Sequence, residues 1–241
     1  MVEVKILGLA FSPRHGNTEI LVKEALRAAE ELPDVECSFY SIAGKRIEDC
    51  DSDYRCYRMH DPKKPCPSFT DTFDEILPLI DKADGVIYGC PVYWMTVTAQ
   101  MKAFMDRTMG IEAVGFSWRN KVAGFITVAY DREGGHETTI RDMQNWALMQ
   151  DMIVVGVGPE RPSKGIGGYL GAMALQGFPY PIESSDPDTL RAVRKDEVGM
   201  YAARCVGYRT AEMAKVVKLG LEKIDRQELK WPRGAMQPGA E

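Results

Sequence analysis

Five short apolar runs, separated by segments of helical period, constrain this chain most. Val4–Ala10, Val35–Ile42, Gly85–Cys90, Lys121–Tyr130 and Met152–Val157 each read as a strand. Between them, Thr18–Leu32, Phe69–Lys82, Thr98–Met109 and His136–Asp151 read as helices. In the first of these, Ile20, Leu21, Ala25, Ala28, Ala29 and Leu32 share one face, and Pro33 stops it. Pro78 is expected to bend the second. A last helix is expected from Asp188 or Asp196 to Leu221. Strands that alternate with helices connect by right-handed crossovers. The expected architecture is therefore α/β: a doubly wound, five-stranded parallel sheet with helices on both faces. At 241 residues, one domain with insertions is the simplest division. We place that domain at 1–225, with a cysteine-containing insertion at about 43–68 and a Gly/Pro-rich connection at about 158–187. Residues 226–241 form a C-terminal tail.

Charge and hydropathy exclude several classes. The net charge of −5 gives no general attraction to nucleic acid phosphates. The longest apolar run, 122–130, is far short of the roughly 20 residues that span a bilayer. Glu3 and Lys5 interrupt any secretory signal at the start. A soluble, cytoplasmic protein without nucleic acid or membrane partners is expected. In such a chain, clustered cysteines point to metal or redox chemistry more than to disulfides.

In open α/β sheets ligands bind outside the carboxyl ends of the strands, so the loops there carry the functional reading. The first is Phe11-Ser12-Pro13-Arg14-His15-Gly16-Asn17-Thr18. It leads into a helix N-terminus, where backbone N–H groups lack partners and the dipole favours an anion. Ser12, Asn17 and Thr18 add short donors, and Arg14 adds a planar, charged fork. Neither GxGxxG nor GxxxxGK[ST] is present, so a terminal monophosphate suits the loop better than a dinucleotide or a magnesium-bound triphosphate. An ordinary capped turn is the alternative. The second loop, Pro91-Val92-Tyr93-Trp94, sets two aromatics just beyond a buried strand, where they can line a flat apolar ligand or a subunit interface. The third runs from Tyr130 and Asp131 through Arg132 to Gly134-Gly135 ahead of a helix, which allows close backbone approach to a ligand. A plain turn is again the alternative.

Three stretches together resemble a known family. They are Ser12-Pro13-Arg14-His15-Gly16-Asn17-Thr18, Pro91-Val92-Tyr93-Trp94, and Ala99-Gln100-Met101-Lys102-Ala103-Phe104-Met105-Asp106-Arg107. The chain resembles the flavodoxin-like NAD(P)H-dependent FMN reductases, in particular their iron–sulfur flavoprotein branch, over about residues 2–157. Two departures stand out: Phe11 replaces the usual glycine, and the first loop is one residue shorter than the commonest form. The resemblance implies FMN, with its phosphate among Ser12, Arg14, His15, Asn17 and Thr18. Its ring system would lie between Pro91, Val92, Tyr93 and Trp94 on one side and Tyr130, Asp131, Gly134 and Gly135 on the other. N–H groups at Gly134 and Gly135, with Arg132, would stabilise charge on the reduced ring. Flavin N5 carries the chemistry, so no catalytic side chain is required. NAD(P)H is implied as a transient donor, or a reduced carrier in its place. The acceptor is a quinone, a flavin, an oxygen species or a protein, and the chain is expected to form a homodimer or homotetramer.

The insertion holds Cys50, Asp53, Cys56 and Cys66. Family members with a cluster carry a compact C-x2-C-x2-C and a fourth cysteine; here Asp53 stands at the middle position. An iron–sulfur cluster on three thiolates and Asp53, a three-iron cluster without a fourth protein ligand, and zinc with Asp53 or His60 are all open. So is a metal-free loop. Cys37, Cys90 and Cys205 read as small buried hydrophobes. Two further readings remain: a flavin/cysteine redox sensor without turnover, and a zinc-stabilised interaction protein.

Overall fold

The computed structural model describes residues 2–158, 169–176 and 191–225. Strands β1 (Val4–Ala10), β2 (Val35–Ser41), β3 (Gly85–Pro91), β4 (Val122–Ala129) and β5 (Ile153–Val155) form a parallel sheet in the order β2-β1-β3-β4-β5. This is the doubly wound arrangement expected from the alternating pattern. A sixth strand, β6 (Ala172–Leu175), goes beyond the five expected. It lies inside the glycine-rich connection and pairs with β4. The reason is one of length. β5 pairs only with Val122–Gly124, and β6 takes the remaining edge from Ile126 to Ala129.

Side chains alternate across the sheet with a period of two. Leu7, Leu9, Val86, Tyr88, Ala123 and Phe125 enter one core. There they meet α3 (Thr72–Lys82), α4 (Ala99–Arg107) and α6 (His136–Met149). Val4, Ile6, Ile87, Val122 and Ile126 enter the other, against α1 (Asn17–Ala29) and α7 (Glu197–Lys223). Gly207 lets α1 and α7 touch backbone to backbone, because a Cβ there would collide with the carbonyl of Ala25. Two short helices, α2 (Arg55–Met59) and α5 (Met109–Ala113), complete the chain order. α2 sits in the cysteine insertion, and α5, which the sequence pattern does not announce, follows α4 after a break at Thr108.

Some boundaries differ from expectation. α3 starts at Thr72, capped by Asp71, rather than at the expected Phe69, and it continues through Pro78 to Lys82 as expected. α7 begins at Glu197, where the Asp196 side chain accepts the Gly199 N–H, and a 3-10 turn at Ala192–Lys195 precedes it. An earlier start at Asp188, the tail 226–241 and most of the connection at 158–187 lie outside the described residues. Among the described residues, no helix is long and apolar enough to cross a membrane.

Candidate flavin site and cysteine pocket

β1, β3 and β4 are neighbours, so the loops that leave their carboxyl ends lie side by side. Hydrogen bonds lock them together. The Phe11 N–H donates to Gly89 O at 2.7 Å, and the Val92 N–H to Val128 O at 2.9 Å. Thr98 Oγ1 donates to Phe11 O at 3.0 Å, and Thr127 Oγ1 to Cys90 O at 2.7 Å. The three regions singled out in the sequence thus share one edge.

The first loop turns on Ser12. Its Oγ accepts the Arg14 N–H at 3.3 Å and donates to Arg14 O at 2.7 Å. Gly16 is the N-cap of α1, at φ 154° and ψ −133°, a region essentially reserved for glycine. No side chain caps this helix. A helix start without a side-chain cap suits an anion. Ser12 and Thr18 are buried beside it, and Arg14 is half-buried. His15 projects into solvent and pairs with Glu19 at 2.7 Å. Asn17 also serves the fold. Its Oδ1 accepts the Val193 N–H at 3.1 Å, which pins the 3-10 turn ahead of α7.

The second loop is a tight turn. The Tyr93 N–H donates to Thr96 O at 2.9 Å, and the Thr96 N–H returns to Tyr93 O at 3.1 Å. Its corners, Trp94 and Met95, have φ of 47° and 71°, which costs each about 1–3 kcal/mol. Thr96 Oγ1 bonds Asp142 on α6 and helps hold the turn. Trp94 is 98% exposed. The third loop interlocks with this turn. Gly135 has φ 96°, and a Cβ on it would lie 2.6 Å from Met95 Cα. It caps α6 without a side chain, leaving a second open helix N-terminus. The Gly134 N–H donates to Asp131 O at 3.2 Å to close the loop, while Tyr130 is half-buried at its start.

A cavity of about 530 Å³ opens between Met95, Arg132, Gly135, His136, Met173 and Leu175. Met173 and Leu175 come from β6, so the unexpected strand forms part of the wall. His136 Nε2 donates to Ala174 O of the same strand at 2.9 Å. The ring therefore braces the wall. Nothing in the sequence marks Met173 or Leu175, because a four-residue strand has no readable period.

The cysteine insertion converges elsewhere. Cys50, Cys56 and Cys66 line one narrow pocket with Asp53, Ser68 and Arg107. His60 is absent from that lining and ends α2 in an exposed position. Among the described residues, no group of three Cys, His, Asp or Glu side chains could hold a single metal ion. Tetrahedral zinc, with thiolates about 2.3 Å from one point, does not match this spread. Burial raises the Cys56 thiol, and Cys66 and Cys50 act in the same direction. Asp53 is fully engaged: Oδ1 accepts the Arg55 N–H at 2.9 Å, and Oδ2 accepts Ser68 Oγ at 2.7 Å and pairs with Arg55 Nε at 3.0 Å. The Arg55 N–H and then Ser68 hold this carboxyl below the usual range. Of the isolated cysteines, Cys90 is buried, and Cys37 and Cys205 are half-buried.

In the sequence Arg107 reads only as part of a helix motif. Its side chain is fully buried. Nη1 pairs with Asp71 at 2.5 Å, and Nε donates to Cys66 Sγ at 3.2 Å. The guanidinium lies 4.4 Å from the Phe73 ring centroid and 5.0 Å from that of Phe69. Nη2 has no acceptor among the described residues. The signal that could have found Arg107 is Asp71, the N-cap of α3, but the two are joined only by the fold.

Comparison with known proteins places the chain. The model of the NADPH-dependent FMN reductase family matches residues 4–158. An iron–sulfur flavoprotein of Methanocaldococcus jannaschii is 37% identical over 216 residues, 89% of this chain and 100% of that protein. An iron–sulfur flavoprotein of Archaeoglobus fulgidus is 32% identical over 209 residues, 86% of this chain and 96% of its own length. Among solved structures, a flavodoxin-like WrbA-type protein from Agrobacterium tumefaciens superposes with a TM-score of 0.58 at 17% identity, over 89% of this chain and 99% of that one, which supports the fold alone. The chain belongs to the NADPH-dependent FMN reductase family, is an oxidoreductase, and falls in the iron–sulfur flavoprotein branch.

Proposed function

We propose that this chain binds one FMN across its three carboxyl-edge loops and uses it to pass electrons from NAD(P)H, or a reduced carrier, to an acceptor. The observation that carries the reading is the N-terminus of α1. It is capped by a glycine with no side chain and framed by Ser12, Arg14 and Thr18. A phosphate monoester fits that donor set, because it needs several N–H groups and one cation and no metal. The backbone N–H of Gly135 and the open start of α6 suit the polar edge of the ring. Tyr93 and Trp94 offer apolar surface to its face.

FMN, when bound, accepts and donates electrons at its ring. The chain orients that ring through the interlocked turns at Trp94–Met95 and Gly135, and it presents the 530 Å³ cavity to an incoming partner. The acceptor class is a quinone, a flavin, an oxygen species or a protein. The donor set of Cys50, Cys56 and Cys66, with a buried arginine beside it, suits an iron–sulfur centre, provided the loop 50–68 opens to admit it. We also propose a homodimer or homotetramer, with Trp94 as interface material.

Steady-state oxidation of NADH and NADPH by FMN-loaded protein, with a quinone as acceptor, tests the reading. Turnover that scales with bound FMN supports it. Bound FMN with no turnover on any donor and acceptor pair would favour a redox sensor.

A further inference from the structure

We propose that Asp196 is a positioning residue for the 530 Å³ cavity: its carboxylate fixes β6 as the cavity wall and ties that wall to the phosphate end of the flavin site. The inference rests on the reading that FMN fills the three loops and that an acceptor enters this cavity. β6 needs a fastening, because it has four residues and pairs with one strand, β4, among the described residues. The Gln176 N–H continues that ladder by donating to Ala129 O at 2.7 Å. The Leu175 N–H, one residue earlier, donates to Asp196 Oδ2 at 2.7 Å. Neighbouring N–H groups of a strand point to opposite edges, so the carboxylate holds the edge that β4 does not. Its other oxygen is also engaged: Oδ1 accepts the Gly199 N–H at 3.0 Å and caps α7. Gly199 itself packs on the strand, where a Cβ would lie 2.5 Å from Ala174 Cβ. Asp196 thus stands where α7 starts and β6 passes, with one oxygen for each. A serine would cap the helix about as well, but its single short hydroxyl cannot serve both N–H groups.

The bonds continue to both ends of the flavin site. The Asp196 N–H donates to Val193 O at 3.0 Å within the 3-10 turn, and the Val193 N–H donates to Asn17 Oδ1 at 3.1 Å. Beyond β6, Ala174 O accepts His136 Nε2 at the start of α6, which follows the third loop. The phosphate loop, the 3-10 turn, β6 and the third loop are therefore joined by one chain of hydrogen bonds, and Asp196 is its carboxylate. What that chain fixes is the apolar side of the cavity. Met173 and Leu175 come from β6 and meet Met95, while Arg132, Glu133 and Glu137 supply the charged remainder of the lining. Two methionines and a leucine form an adaptable apolar wall, which suits a flat, uncharged acceptor ring. Electron transfer to such a ring needs it held close against the flavin, so a wall that drifts weakens acceptor binding first.

The test compares Asp196→Ser and Asp196→Ala with the wild type, each as the full FMN-loaded chain. Amide hydrogen exchange over residues 172–176 is followed by mass spectrometry, and thermal melting is recorded. Duroquinone is the acceptor probe, because its fully methylated ring leaves no position for a cysteine thiol to add. Its Kd is measured by equilibrium dialysis, and its KM and kcat with NADPH as donor. Asp196→Ser is expected to melt close to the wild type, because the helix cap is kept, and to exchange over 172–176 about tenfold faster. Its Kd and KM for duroquinone should rise about tenfold, with kcat changed less than about twofold. Asp196→Ala should show the same losses and melt lower, because the cap is gone as well. An Asp196→Ser chain with wild-type exchange, or with faster exchange and wild-type duroquinone Kd, would overturn the inference. So would a wild type that binds no duroquinone. A wild type that binds duroquinone but does not turn over contradicts the proposed electron transfer, and the dialysis result still decides the role of Asp196. A chain that binds no FMN contradicts the flavin reading, and the exchange comparison on the flavin-free chain then decides whether Asp196 holds the wall.

Discussion

At the carboxyl edge of the sheet, polar groups are left open; around Cys66 they are sealed in. The flavin loops present two helix N-termini capped by bare glycines, a half-buried arginine and a tryptophan in full solvent. The cysteine pocket instead encloses a guanidinium with no exposed side-chain surface, one carboxylate partner and one thiol partner. One helix links the two. α4 begins at Thr98, whose hydroxyl bonds the first flavin loop, and ends at Arg107, about 13 Å away along nine residues. Phe11, at the head of the phosphate loop, packs on Phe104 of that helix at 4.9 Å, and Phe104 packs on Phe73 at 5.7 Å. The two ends follow different strategies. Open donors wait for a soluble ligand and contribute little to stability while empty. A buried charge must be satisfied by the fold itself, so it weighs on stability whether or not the pocket is filled.

The sealed end is most sensitive at Arg107. Replacing it with methionine leaves Asp71 without its cation and should cost about 3–5 kcal/mol in urea unfolding. A loss below about 1 kcal/mol would mean that the pocket is not sealed as described. At the open end, Gly135→Val should disturb the interlocked turns and, through them, the ligand. Its Cβ meets Met95 and its φ is unfavourable, so FMN affinity should fall about 100-fold in a fluorescence titration. Thr18→Val removes one buried donor and keeps the shape. A tenfold loss in FMN affinity, about 1.4 kcal/mol, is expected, with little change in thermal stability.

Two smaller effects also distinguish buried from open groups. Burial pushes the Cys90 thiol up to about 12. A raised thiol stays protonated until the pH nears that value, so in mildly alkaline buffer Cys90 should resist iodoacetamide while half-exposed Cys50 reacts. Mass spectrometry of the native protein reads this directly, and early labelling of Cys90 would argue against the packing under the flavin loops. Trp94→Ala should change stability by no more than about 0.5 kcal/mol, because the ring is 98% exposed. If light scattering then reports a smaller assembly than the wild type, Trp94 serves an interface between copies.

Much of the fold is legible in the sequence for a physical reason. β3 and β4 are buried on both faces, so they read as apolar runs such as Val86-Ile87-Tyr88, and β1 does so after the exposed Lys5. The loops beyond them stand out because Gly16 and Gly134-Gly135 mark turns that other residues resist. The features that escape a reading of the sequence depend on partners far away in the chain. β6 exists because β5 is too short to cover β4, which only the assembled sheet reveals. Arg107 reads as the polar end of a helix until Asp71 and Cys66 close over it. Asn17 reads in the sequence only as a loop donor, and its oxygen also holds Val193, 176 residues later. The turn at Trp94–Met95 contains no glycine, so nothing in its composition announces two left-handed residues in succession.

The flavin reading stands or falls on whether the loop from Ser12 to Thr18 holds FMN by its phosphate. A pair of titrations of flavin-free protein decides it, one with FMN and one with riboflavin, which differ only in that phosphate. One FMN per chain is expected, bound about 100-fold more tightly than riboflavin, with the gap narrowed in Thr18→Val. Equal affinity for both flavins, or no binding of either, would contradict it.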